Sequence, residues 1–177
     1  MLATERLHLR PWRDEDIAPF AAMGADPEVM QHFPALLDHA ATVAMVSRIR
    51  EHFTYEGFGL WAVEVPGVAP FIGFTGLMRP RWRPACVEVG WRLARAHWGS
   101  GYATEAARAA VDHGFATLGL HEIVAFVLPT NTRSQAVMGR LGMVRDRNGD
   151  FEHPSIPVGH PMRPHWLFRL PAPDRLA

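Results

Sequence analysis

Apolar and polar positions alternate in "ERLHLRPW", where Leu7 and Leu9 share one face, and this period of two predicts a first strand. The spacing turns helical in "RDEDIAPFAAMGADPEVM", which starts acidic, and Asp26-Pro27 either ends that helix or starts another. A second helix follows from Asp38 to Phe53, in "DHAATVAMVSRIREHF". "GFGLWAVEV" and "PFIGFTGLM" then form an antiparallel hairpin about the turn at Pro66-Gly67. In "ACVEVGWRLA" the alternation puts Val87, Val89, Trp91 and Leu93 on one face and Glu88, Gly90 and Arg92 on the other. A long helix opens in "HWGSGYATEAARAAVDHGF", with Ala103, Ala106, Ala107, Ala110, Val111, Gly114, Phe115 and Leu118 as its buried stripe. "HEIVAFVLP" is apolar almost throughout, as in a strand covered on both faces. "TRSQAVMGRLG" predicts a short helix closed by Gly142, and the proline-rich end holds one strand at His165 to Leu170.

Composition adds limits to this pattern. The 177 residues suit one domain spanning 1–177, and 48% hydrophobic content supplies a sizeable core. Eighteen basic residues offset eighteen acidic ones, so no global field favours nucleic acid or an anionic membrane. No secretory signal or membrane-spanning run is visible, which leads to the expectation of a soluble cytoplasmic protein. Cys86, the single cysteine, excludes an internal disulfide, and its strand-like surroundings suit a packing thiol.

The mouth of the long helix carries the first chemical signal. Its free N–H groups face the loop Trp98 to Thr104, Gly99 and Gly101 allow close approach to backbone, and the helix dipole favours an anion such as pyrophosphate. A glycine turn that holds nothing satisfies the same residues. The dinucleotide fingerprint fails because Thr104 stands in the third glycine's place, and the P-loop lacks its Gly-Lys-Ser/Thr.

The run "VEVGWRLARAHWGSGYATEA" resembles the acyl-coenzyme A signature of GNAT-superfamily N-acetyltransferases. "TERLHLRPWRDEDIAPF", "DPEVMQHFP", "GFGLWAVEV", "FIGFTGL" and "NTRSQAVMGRLGM", in that order, are similar to the Rim-type branch, the ribosomal-protein N-terminal acetyltransferases and their relatives. The resemblance runs from Thr4 to about Met143. It implies an α/β (α+β) fold with a mixed, mostly antiparallel sheet flanked by helices, whose middle strands, "VEVGWRL" and "HEIVAFVL", part to admit pantetheine. It also implies acetyl-coenzyme A as donor, with the backbone of Trp98, Gly99, Ser100, Gly101, Tyr102, Ala103 and Thr104 on the pyrophosphate. Gly101 and Ala103 match the last two fixed positions of the superfamily loop, while Trp98 replaces its Gln or Arg. The Thr104 hydroxyl either adds a bond there or caps the helix.

Transfer of an acyl group to an amine needs a neutral nucleophile, donors for the developing oxyanion and support for the departing thiolate. Glu88 lies near the glutamate base of some family members; otherwise it faces solvent or pairs with Arg92. Backbone N–H groups of Val89, Gly90 and Trp91 are the oxyanion donors that the resemblance implies. Asn131 and Ser134, three apart at the start of the short helix, either cap it or face the cofactor. Met138 occupies the place of the tyrosine acid found in related enzymes, so Ser134 is the implied donor to the sulfur. His153 and His165 either line the acceptor pocket or serve packing. The spacing of His153, His160 and His165 fits no compact zinc pattern, so no metal is expected. The expected protein is an acetyl-coenzyme A-dependent N-acetyltransferase, monomer or homodimer, transferring directly to a protein N-terminus or a small-molecule amine. A non-catalytic acyl-coenzyme A-binding domain is the alternative.

Overall fold

The computed structural model describes residues 1–173. Eight strands, β1 (Leu2–Ala3), β2 (His8–Arg10), β3 (Leu60–Val65), β4 (Ala69–Met78), β5 (Glu88–Leu93), β6 (Glu122–Val127), β7 (Val144–Glu152) and β8 (Pro164–Pro171), form one sheet. Their order is β1-β2-β3-β4-β5-β6-β8-β7, and every neighbouring pair is antiparallel except β5 and β6. Four helices, α1 (Ile17–Gly24), α2 (His39–Glu56), α3 (Tyr102–Ala116) and α4 (Thr132–Leu141), complete the mixed, mostly antiparallel architecture.

Local chemistry sets the boundaries of these elements. Asp38 caps α2 by accepting from Ala41 N at 2.7 Å, and Gly57 closes it with φ 75°. Asn131 and Gly142 perform the same two tasks for α4. Pro27 ends the first helical stretch, whose regular part is a 3-10 turn at Asp14–Asp16 followed by α1; the segment up to α2 is turns rather than another helix. The Arg10 guanidinium, 3% exposed, grips both Asp16 carboxylate oxygens at 2.8 Å and Glu64 at 2.7 Å, which pins the start of α1 to β2 and β3.

Each face of the sheet has its own core. Val87, Val89, Leu93, Ile123, Ala125 and Val127 pack with Ala106, Ala107, Ala110 and Val111 of α3 on one side. On the other, Leu60, Ala62, Phe71 and Phe74 meet Trp12, Phe20, Val46 and Ile49 under α1 and α2. Phe71 and Phe74 join the same core although they stand three positions apart, so the alternation of β4 breaks between them, around Gly73 (φ 136°).

Strand β7 has no counterpart in the expected elements. Its residues are mostly charged or polar and Val144 is 70% exposed, so burial contributes no apolar period there. Arg169 of β8 instead ties it down through Asp146 at 2.8 Å, and Asp150 accepts from Leu167 N at 3.2 Å.

A Cβ at Gly73 would press on the backbone of β5, 2.7 Å from Leu93 Cα and against the Arg92 carbonyl, in a conformation that L-residues rarely adopt. Gly73→Ala should therefore cost on the order of 3 kcal/mol, measured by urea denaturation. A loss below about 1 kcal/mol would show that the strands separate freely here.

Candidate active site

Strands β5 and β6 run parallel and pair at a single register position, Glu88 opposite Val124, with Val124 N donating to Val87 O at 2.9 Å. Beyond that point β5 follows β4 as far as Gly73 opposite Leu93, while β6 follows β8 as far as Val127 opposite Trp166. The two strands thus part toward their C-terminal ends. Because Val87 O faces β6 and Ala94 N faces β4, donating to Ile72 O at 2.8 Å, backbone alternation directs Val89 and Trp91 into the gap. Gly90 is turned the other way, and its carbonyl accepts from Thr75 Oγ1 at 3.1 Å. Val89 N completes the parallel bridge by bonding Val124 O, so of the three expected oxyanion donors only Trp91 presents a free N–H group to the opening.

The chain leaving β5 makes a 3-10 turn at Arg95–His97 and reaches the loop at the gap's open end. Trp98 Nε1 donates to Leu93 O at 2.8 Å, and Arg133 of α4 lies over the indole, 4.5 Å from its centroid. Gly99 and Gly101 have φ 78° and 82°, and Gly101 is the N-cap of α3 without a side-chain cap. Thr104 is therefore inside the first turn and does not cap the helix. The N–H groups of Tyr102, Ala103 and Thr104 precede the first helical bond, Glu105 N to Gly101 O at 3.0 Å, and remain available. A Cβ at Gly99 would meet nothing within 4 Å, and one at Gly101 would meet only Arg6 Nη2. Backbone donors around open space suit a pyrophosphate.

Arg6 completes this mouth and was absent from the expected site. It holds Glu105 at 2.5 Å, donates to Ser100 O at 3.0 Å and stacks over Tyr102. Nothing local marks it, since its partners lie 94 and 99 positions away.

Asn131 caps α4, its Oδ1 accepting from Ser134 N at 3.1 Å. Ser134 is half-buried in the first turn of α4. Cys86 is likewise half-buried, with Sγ donating to Arg83 O at 3.2 Å and its thiol pushed up by burial, which fits a packing thiol.

Glu88 does not pair with Arg92 and is not simply solvated. Protein encloses its carboxyl, some solvent contact remains, and burial pushes its pKa from 4.5 up to about 8. Alternation along β6 puts Phe126 on the same face of the sheet as Val124, the partner of Glu88. Phe126 belongs to a cluster with Trp82, Phe151, His153 and His165, in which the two imidazole centroids are 5.1 Å apart. Burial lowers both histidine pKa values, and the neighbouring His165 lowers that of His153 further, so both rings are biased toward the neutral form. Among the described residues no group of three His, Cys, Asp or Glu side chains is arranged to hold a metal ion, and no helix is long and apolar enough to cross a membrane.

The acetyltransferase (GNAT) domain family matches residues 6–144. The chain is 35% identical to the uncharacterized protein YkkB of Bacillus subtilis over 80% of this chain and 84% of that one. It is 33% identical to the uncharacterized N-acetyltransferase p20 of Bacillus licheniformis over 82% and 85%. The crystal structure of an acetyltransferase from Agrobacterium tumefaciens superposes with a TM-score of 0.79 at 30% identity, covering 96% of this chain and 92% of that one.

The Glu88 carboxyl keeps its proton to about pH 8 in the folded chain but loses it near 4.5 in the unfolded one, so rising pH between these values favours unfolding. Replacing the carboxyl removes that penalty. Glu88→Gln should be nearly neutral for stability at pH 5 and stabilising by on the order of 3 kcal/mol at pH 8.5. Denaturation at the two pH values measures the difference, and an equal effect at both would mean an ordinary hydrated carboxylate.

Proposed function

Because this chain belongs to the GNAT acetyltransferase domain family, we propose that it is an acetyl-coenzyme A-dependent N-acetyltransferase transferring directly to a primary amine. The observation that carries this reading is Glu88, an enclosed carboxyl with a pKa near 8, at the point where β5 and β6 part. A general base works best when its pKa lies near the operating pH. The narrower Rim-type assignment rests on the ordered segments from Thr4 to Met143, and we extend the domain and a cytoplasmic location to the whole chain on the same reading.

In this mechanism the free N–H groups at the start of α3, with Gly99 and Gly101 leaving room, hold the donor's pyrophosphate, and Arg6 and Arg133 bound the mouth. Trp91 directs its N–H group at the thioester carbonyl, where negative charge develops as the amine attacks. Glu88 accepts the proton that the ammonium must lose, directly or through water. Ser134 donates a hydrogen bond to the departing sulfur, while Asn131 holds the first turn of α4 in place. The acceptor is a small-molecule amine or a protein N-terminus.

Thiol release from acetyl-coenzyme A with an amine panel tests the reading. A lysine-like ammonium has a pKa of about 10.4, so its transfer depends most on a base. With such an acceptor Glu88→Gln should lower kcat/KM roughly a hundredfold and remove the rise in rate as pH approaches 8. Undiminished rates across neutral pH would take Glu88 out of the chemistry. Absence of thiol release with every amine, despite acetyl-coenzyme A raising the melting temperature, would leave a binding domain instead.

Ser134→Ala should slow single-turnover transfer by roughly ten to a hundred and fifty fold, the worth of one hydrogen bond to a developing charge, with little change in acetyl-coenzyme A affinity. Weaker binding with an undiminished saturated rate would make Ser134 a binding residue only.

A further inference from the structure

Glu88, Gly90 and Arg92 occupy one face of β5, and their register partners Met78, Gly76 and Phe74 occupy the same face of β4. This is the side covered by α1 and α2, since Phe74 packs in their core. Arg92 is half-buried there, and its Nε and Nη1 are fully buried with no hydrogen-bond partner. Its guanidinium carbon lies 3.9 Å from the centroid of Phe33 and 5.5 Å from that of Phe74. Among the described residues no carboxylate pairs with it, in contrast to the buried Arg10, which holds Asp16 and Glu64. Burial draws the Arg92 pKa down only to about 10, so the side chain remains a cation at neutral pH.

Aromatic faces do not replace the donors' missing acceptors, and an enclosed unpaired charge is costly to keep. Between this cation and the carboxyl of Glu88 the floor is bare, because a Cβ at Gly90 would meet nothing within 4 Å. Four residue steps of extended strand separate the two Cα atoms by about 13 Å. Resting on the N-acetyltransferase reading, we infer that the acceptor is an amino acid-like zwitterion whose amine lies at Glu88 and whose carboxylate lies on Arg92. A planar guanidinium can take a carboxylate in a fork of Nη2, which has no partner and is not among the fully buried atoms, with either the orphaned Nε or the orphaned Nη1. The same cation repels a polyamine, which would bring further positive charge to this end of the floor.

The test compares amino acids of increasing amine-to-carboxylate spacing, each as free acid and as carboxamide, by thiol release from acetyl-coenzyme A. The wild-type protein should favour the acid at least tenfold in kcat/KM at the best spacing, and Arg92→Gln should bring the acid-to-amide ratio to about one, with Arg92→Lys between. An acid-to-amide ratio near one in the wild-type protein, or a ratio unchanged in Arg92→Gln, overturns the inference. If no amine of either form is acetylated, the transferase reading fails separately. Calorimetric binding of the N-acetylated acids and amides to the coenzyme A-loaded wild-type protein then decides Arg92: tighter acid binding by tenfold supports it, and equal or undetectable binding of both refutes it.

Discussion

Two parallel strands in an otherwise antiparallel sheet have to be joined by a crossover, and here the crossover from β5 to β6 carries α3 across one face. Everything chemical follows from how little those strands touch. They share one register position, and after it each is committed to its other neighbour, β4 or β8. The gap exposes backbone groups of β5, and the helix that must start just after β5 delivers its unpaired N–H groups to the gap's open end. A site for an extended, anion-bearing molecule is thus a by-product of topology. Sequence had only to supply glycines at 99 and 101 and keep bulk away.

Placing a carboxyl and a guanidinium on the face of β5 opposite α3 has a different logic. The two opposite charges lie on the same strand face and could have been brought together, yet Glu88 and Arg92 do not pair. Burial shifts each toward its neutral form, Glu88 up to about 8 and Arg92 down to about 10. Both shifts are penalties borne by the folded chain. The ion pairs that fasten the fold lie elsewhere, as with Arg10 on Asp16 and Glu64, so stability and chemistry draw on different charged residues. Such separation is what a site with a stability–activity conflict requires.

Periodicity made most of the scaffold legible, because one face of each main element is buried. The β3–β4 hairpin, the α3 stripe and the covered strand β6 all carry a period that only burial imposes. β7 escaped because it is held by its backbone ladder to β8 and by the Asp146 and Asp150 contacts rather than by a buried apolar face, and neither leaves a hydrophobic period. The loop from Trp98 to Thr104 was visible from its glycines. Arg6 was not, since folding alone brings it to Ser100 and Glu105. Alternation did put Glu88, Gly90 and Arg92 on one face, but a strand pattern does not tell a solvated face from an enclosed one; only the packing of Phe33 and Phe74 around Arg92 does. His153 and His165 pair in the sequence as pocket-lining or packing candidates, but their direct ring contact, formed with Trp82 and Phe151, is not legible in the strand pattern.

The two burial-shifted groups, Glu88 and Arg92, bear on each other through the acceptor proposed for them. An ammonium arriving beside Glu88 favours the ionised carboxylate and pulls its pKa back from 8, so the base becomes competent when there is a proton to remove. A carboxylate arriving on Arg92 supplies an acceptor for one of the orphaned Nε and Nη1 donors together with Nη2. A molecule offering one charge relieves one penalty and leaves the other in place, whereas a zwitterion of suitable length relieves both. Selectivity then arises from the protein's own unpaired groups rather than from contacts added for the purpose, in the way that a buried polar group rejects ligands that cannot satisfy it. The bare floor at Gly90 fits this logic, because a side chain there would stand between the two ends of the molecule that the charges are set to hold.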